Sequence, residues 1–156
     1  MDRSDSVPSE RDALVLTALE SVQTFSDAMD RMYAEMRGDM DMNATDLAAI
    51  RMLVIRERHG EVVKPHDLAT HLAISTASTT KLLDRLSAGG YLRRDPHPDD
   101  RRSRIIVLTD AARAEFFRHF GARLAAMRDA LAPYDDGELR SIVRFLGDIE
   151  NVMAGD

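Results

Sequence analysis

Residues 64–108 read KPHDLATHLAISTASTTKLLDRLSAGGYLRRDPHPDDRRSRIIVL, and their succession of local signals decides the fold. Pro65 suits the first position of a short helix, where its missing N–H costs nothing, and Leu68 and Leu72 give that helix an apolar edge. Ala73-Ile74 makes a tight turn. Ser75 then caps a longer helix that runs to Gly89-Gly90. Two β-prone runs follow, Tyr91-Leu92-Arg93-Arg94 and Arg104-Ile105-Ile106-Val107-Leu108. The Pro- and Asp-rich segment between them is hairpin-loop material. Helix, turn, helix and hairpin in this order make a helix-turn-helix with a wing, a unit that projects its second helix into the major groove of a duplex.

The wheel of that second helix divides cleanly. Thr79, Leu82, Leu83 and Leu86 fall at i, i+3, i+4 and i+7 and form the buried stripe. The opposite face carries Ala77, Lys81, Asp84 and Ala88, flanked by Ser78, Thr80 and Arg85. Small hydroxylated side chains near the helix start (Thr76, Ser78, Thr80) let the backbone approach base edges and can bond to bases and phosphates. The helix N-terminus itself favours a phosphate. Ser75, Thr76, Ala77, Ser78, Thr80, Lys81 and Arg85 are therefore the candidate contacts of the recognition helix. Asp84 would repel DNA, so it is expected to pair with Arg85 or with an arginine of the wing. The wing carries Arg93, Arg94, Arg101, Arg102 and Arg104, although a small hairpin has little core that would need them. Arginine at a loop tip fits the narrow, electronegative minor groove. Arg94, Asp100, Arg101, Arg102 and Arg104 are the candidate wing residues, with Asp99 or Asp100 expected to orient a neighbouring guanidinium.

Outward from this core, Asn43 caps a helix whose apolar face is Ile50, Leu53 and Val54, with Asp46 placed to complete a capping box; Gly60 closes it. A helix from about Arg11 to Gly38 carries Val15, Ala18, Val22, Phe25, Met29, Met32 and Met36 in alternating steps of three and four. That spacing is a seam for another helix. Residues 39–42 read as a break. After the hairpin, Thr109-Asp110 caps a fifth helix striped by Phe117, Phe120, Leu124, Met127 and Leu131, which Ala132-Pro133 ends. A sixth helix, from about Asp136 to Met153, is striped by Leu139, Ile142, Leu146, Ile149 and Met153. The expected organisation is a loose tail over 1–10, a dimerisation helix over 11–42, a winged helix-turn-helix lobe over 43–108 and dimerisation helices over 109–156. A second copy of the chain would cover the seams; the alternative is a monomeric bundle.

Composition narrows the function classes. The chain of 156 residues has a net charge of −6, yet residues 81–104 hold seven basic against four acidic residues, so a cationic stretch sits inside an acidic protein. A polyanion would respond to that local field, because screening removes interactions beyond ~10 Å. The absence of cysteine rules out disulfides, thiol chemistry and Cys-ligated metal. No apolar run is long enough for a membrane span and the start of the chain shows no apolar signal region, so cytoplasmic residence is the expectation. There is no phosphate loop, HExxH or GxSxG, and no enzyme activity is expected. His66 and His71 are five apart and do not share a helical face, so neither a metal nor a cofactor is expected.

At Leu68-Ala69, Leu72, Ser75, Leu83-Asp84-Arg85-Leu86, Gly90-Tyr91-Leu92, Asp100-Arg101-Arg102 and Leu108-Thr109 the chain resembles the multiple-antibiotic-resistance regulator (MarR) family of winged-helix transcription factors. The likeness is strong over residues 43–112 and rests on length and pattern in the outer helices. It implies a homodimer formed by the first, fifth and sixth helices, bound to a pseudo-palindromic operator, repressing nearby genes and often released by a small phenolic or anionic effector. By position, it implies that Arg102 enters the minor groove with Asp100 orienting it. Family members that sense peroxide use cysteine, which this chain lacks. The family's effector pocket lies where the dimer helices meet the DNA-binding lobe; Tyr33, Met36, Met52 and Arg56 are candidates for it, or else fill core and seam. The competing functional class is a winged-helix adaptor that binds protein rather than DNA.

Overall fold

The computed structural model describes residues 9–155. The fold is mainly α-helical with one small β-hairpin. In chain order it comprises α1 (Glu10–Met40), α2 (Ala44–Arg58), α3 (Pro65–Leu72), α4 (Thr76–Ala88), β1 (Leu92–Pro96), β2 (Arg104–Leu108), α5 (Asp110–Leu131) and α6 (Asp136–Ala154). Residues as far as Phe116 form one compact unit and residues from Phe117 a second. Most of the tail expected over 1–10 lies outside the described residues; Ser9 already caps α1 and Glu10 begins it.

Local chemistry sets the element boundaries. Ser9 Oγ accepts the Asp12 N–H at 3.1 Å while the Asp12 carboxylate accepts the Ser9 N–H at 3.0 Å, a reciprocal capping box. The first helix runs past Gly38 to Met40 and stops at Asp41, whose φ of 52° is left-handed. The break expected from residue 39 thus starts two residues later, because Met36 and Met40, one turn apart, are both buried and carry the helix on. Asn43 Oδ1 accepts the Asp46 N–H at 2.9 Å, as the sequence suggests. Asp46 does not complete a capping box; its carboxylate turns into the lobe toward α4. Pro65 opens α3 and Ser75 caps α4. Between them Ala73 takes a left-handed φ of 51°, which closes the turn of the motif.

The core of the first unit joins all its elements. Met36 of α1, Leu47, Ile50 and Leu53 of α2, Leu68 of α3, Leu82 of α4 and Leu108 of β2 are all at most 1% exposed. The hairpin pairs antiparallel from Leu92 opposite Leu108 to Pro96 opposite Arg104. Its outer edge is not bare, since the Ile106 N–H donates to the Val63 carbonyl at 2.8 Å. Glu57 of α2 ties the wing base to α5: it accepts the Leu108 N–H at 3.3 Å and both Nε and Nη2 of Arg113 at 2.8 and 3.1 Å. Thr109 Oγ1 donates to the Gly90 carbonyl at 2.7 Å and accepts the Ala112 N–H at 3.1 Å, capping α5 as expected.

In the second unit, Asp135 and Glu138 form the capping box of α6, and Gly155 ends it at a φ of 79°. No residue of α6 is buried within the chain. Its stripe is left open at Leu146 and Met153, and the α1 stripe is open at Val15 and Phe25. No helix among the described residues is long and apolar enough to cross a membrane.

Candidate nucleic-acid interface

The recognition helix presents the faces that its periodicity predicts. Thr79, Leu82, Leu83 and Leu86 are buried, while Thr76, Ala77, Ser78, Thr80, Lys81, Asp84 and Arg85 are exposed. Ser75 is committed to the cap, its Oγ accepting the Ser78 N–H at 3.1 Å. The Thr80 hydroxyl donates to the Thr76 carbonyl at 3.1 Å, which leaves the exposed oxygen free to act as an acceptor. Lys81 enters no ion pair among the described residues.

The charges behind this face are sorted into pairs. Asp84 is neutralised by a wing arginine, Arg94 Nη2 donating to its Oδ1 at 2.7 Å. Arg85 turns the other way. Its Nε and Nη2 donate to the two carboxylate oxygens of the buried Asp46 at 3.1 and 2.5 Å, which raises its pKa above the ordinary arginine value through those hydrogen bonds and the attraction behind them. Two residues predicted to touch DNA, Arg85 and Arg94, are therefore engaged within the lobe. The pairing of Asp46 with Arg85 escaped the sequence reading, which gave Asp46 a capping role, because its partner lies 39 positions away.

The wing tip is a compact turn. His97 N–H donates to the Ser103 carbonyl and Ser103 N–H to the Asp100 carbonyl, both at 3.0 Å. Asp100 Oδ1 accepts the Arg102 N–H at 3.0 Å, and this bond, with a lesser one from the Ser103 side chain, lowers the Asp100 pKa below the usual carboxylate value. Asp100 thus holds the backbone of the tip and not a guanidinium, which corrects the role expected for it: the Asx geometry brings Oδ1 to the N–H two residues on. Arg93 pairs with Asp95 at 2.9 Å. Arg101, Arg102 and Arg104 are exposed and enter no ion pair among the described residues. Of the five wing arginines, the charge left unopposed lies at the tip end.

A cleft lies between α1 and α2. One part, of about 260 Å³, is lined by Tyr33, Arg51, Met52, Arg56 and His71. A second part, of about 390 Å³, adds Asp30 and Arg37. Three of the four predicted pocket residues meet here. Met36 does not: it is fully buried in the core, as its position at the end of the α1 stripe demands. Arg51 was not predicted, yet its guanidinium lies 3.8 Å above the Tyr33 ring centroid. Arg56 pairs with Glu61. Among the described residues no cluster of His, Asp and Glu could hold a metal ion.

A small-faced helix beside a hairpin tipped with unopposed arginines defines a winged helix-turn-helix DNA-binding protein. A sequence model of the MarR family matches residues 41–103. The HTH-type transcriptional regulator PecS of Dickeya dadantii is 30% identical over 145 residues, covering 92% of this chain and 84% of that protein. The HTH-type transcriptional repressor YetL of Bacillus subtilis is 29% identical over 87 residues, covering 56% of this chain and 52% of that one. Among solved structures, a point mutant of MepR from a multidrug-resistant clinical isolate of Staphylococcus aureus shares the fold with a TM-score of 0.69 at 13% identity, covering 87% of this chain and 96% of that one. The chain belongs to the MarR family of transcriptional regulators, a family of DNA-binding proteins and not of enzymes.

Proposed function

We propose that the protein is a homodimer that binds a pseudo-palindromic operator, represses nearby genes and is released by a small phenolic or anionic effector. The observation that carries the DNA-reading surface is the contrast within the wing: stem arginines neutralised by Asp84 and Asp95, tip arginines unopposed. Thr76, Ala77, Ser78, Thr80 and Lys81 face the major groove, and Arg101, Arg102 and Arg104 face phosphates and the adjacent minor groove. The open apolar stripes of α1 and α6 support the dimer, since exposed seams of this length need a cover. Repression has the support of the similarity to YetL. Cytoplasmic residence follows from a DNA partner. The effector reading rests on the α1–α2 cleft, where an arginine stacked on tyrosine offers a cation beside a flat apolar surface.

Selection of bound duplexes from a random pool tests the first half. A dyad-symmetric consensus is expected, and a pool without enrichment would refute it. A panel of phenols and aromatic carboxylates, screened for release of that duplex, tests the second half; loss of release in Arg51→Ala is the expected signature. Replacing Arg101 and Arg102 together separates DNA binding from the adaptor reading, because a protein partner would be less affected than a duplex.

A further inference from the structure

Arg85 sits on the exposed side of α4, one turn beyond Lys81, and by charge it belongs with the DNA contacts. Its geometry says otherwise. Both oxygens of Asp46 are taken in a forked bond, the arrangement that fixes the plane as well as the distance of a guanidinium. Asp46 is 5% exposed and stands in the first turn of α2, whose helix dipole favours its negative charge. The neighbouring residue, Asp84, is bound in the opposite sense to Arg94 of β1. Two consecutive residues of opposite charge thus fasten α4 to two different elements, α2 and the wing.

We propose that Arg85 is a positioning residue, not a DNA contact: its bond to Asp46 sets the rotation at which α4 offers Thr76, Ala77, Ser78 and Thr80 to the bases. The apolar stripe of α4 holds the helix on the lobe, but a stripe of leucines tolerates small rotations that a forked ion pair does not. The inference rests on the reading of α4 as the recognition helix.

The test compares three single variants of the full chain, Arg85→Lys, Arg85→Gln and Asp46→Asn, on a duplex that the protein itself selects from a random pool and on a random-sequence duplex of equal length. A positioning role predicts that all three lose affinity for the selected duplex, by roughly tenfold, within the range found for coupled residues. Affinity for the random duplex and the salt dependence stay unchanged. A phosphate contact predicts a different pattern: Arg85→Gln lowers the log–log salt slope by about 0.9 for each lost contact, and Arg85→Lys binds nearly as the parent does. Asp46→Asn discriminates by sign, because it frees Arg85; affinity kept or raised in that variant overturns the proposal. If Asp46→Asn or Arg85→Gln does not fold, Arg85→Lys decides alone, since it keeps the charge opposite Asp46 and loses only the fork. A parent chain without any sequence preference would sink the recognition-helix reading itself and this inference with it. Preference in the parent alone, with Arg85→Lys unchanged, sinks only the inference.

Discussion

Arg102 stands at the turn of the wing with its backbone N–H tied to Asp100 and its guanidinium unopposed. Arg102→Ala is expected to weaken operator binding by ~1–3 kcal/mol, read by fluorescence anisotropy on the selected duplex; equal affinity would mean that the wing does not touch DNA. Asp100 holds the tip through an acceptor oxygen, and its negative charge strengthens that bond while opposing the phosphates of a duplex. Asp100→Asn, which keeps that oxygen, should therefore bind at least as well as the parent, and Asp100→Ala should bind less well. The same bond gives a pH dependence. The folded carboxyl titrates below its unfolded value of about 3.9, so the turn is at full strength above that pH and loosens only as pH falls through the lower folded pKa. A carboxyl resonance of Asp100 titrating at or above the unfolded value would contradict this.

The turn between α3 and α4 places an alanine in a conformation that glycine adopts freely. Ala73 is exposed and left-handed, a state that costs roughly 1–2 kcal/mol for a residue with a Cβ. Ala73→Gly should relieve part of that cost against the greater freedom of glycine in the unfolded chain, leaving thermal stability equal or slightly raised. In contrast, Leu83→Ala empties a buried position on the α4 stripe and should lower stability by ~2–5 kcal/mol in denaturant titrations. What was legible in the sequence follows the range of the interactions. The stripe of α4, the caps at Asn43, Ser75 and Thr109 and the hairpin all arise within a few residues, and each was readable. The bond between Asp46 and Arg85 was not, because its two halves are brought together only by packing α2 on α4. Likewise, Tyr33 and Arg56 could be named for a pocket, but Arg51 and His71 join them only when α1, α2 and α3 are assembled. Asp100 departs from expectation for another reason: an acid beside arginines suggests an ion pair, and here the backbone N–H of Arg102 wins.

For the whole molecule, sedimentation at micromolar concentration should give a species of about twice the 17.4 kDa chain mass. A monomer under these conditions would remove the two-fold symmetric reading. The outer helices were the least decided part of the sequence, since an apolar stripe says that a helix needs cover and not which surface supplies it. In the structure these stripes lie open at Val15, Phe25, Leu146 and Met153.

The wing is neutralised along its stem and charged at its end, and this divides labour between arrival and reading. If the wing binds DNA as proposed, a duplex approaching a chain of net charge −6 is pushed away by most of it and drawn in at the hairpin end. On the proposed reading, the first touch would orient the molecule before α4 reaches a base, and the neutral stem would not glue the helix to whatever sequence lies there. Added salt should slow capture while leaving the ranking of one sequence over another almost untouched, so search speed and selectivity can be tuned by different side chains.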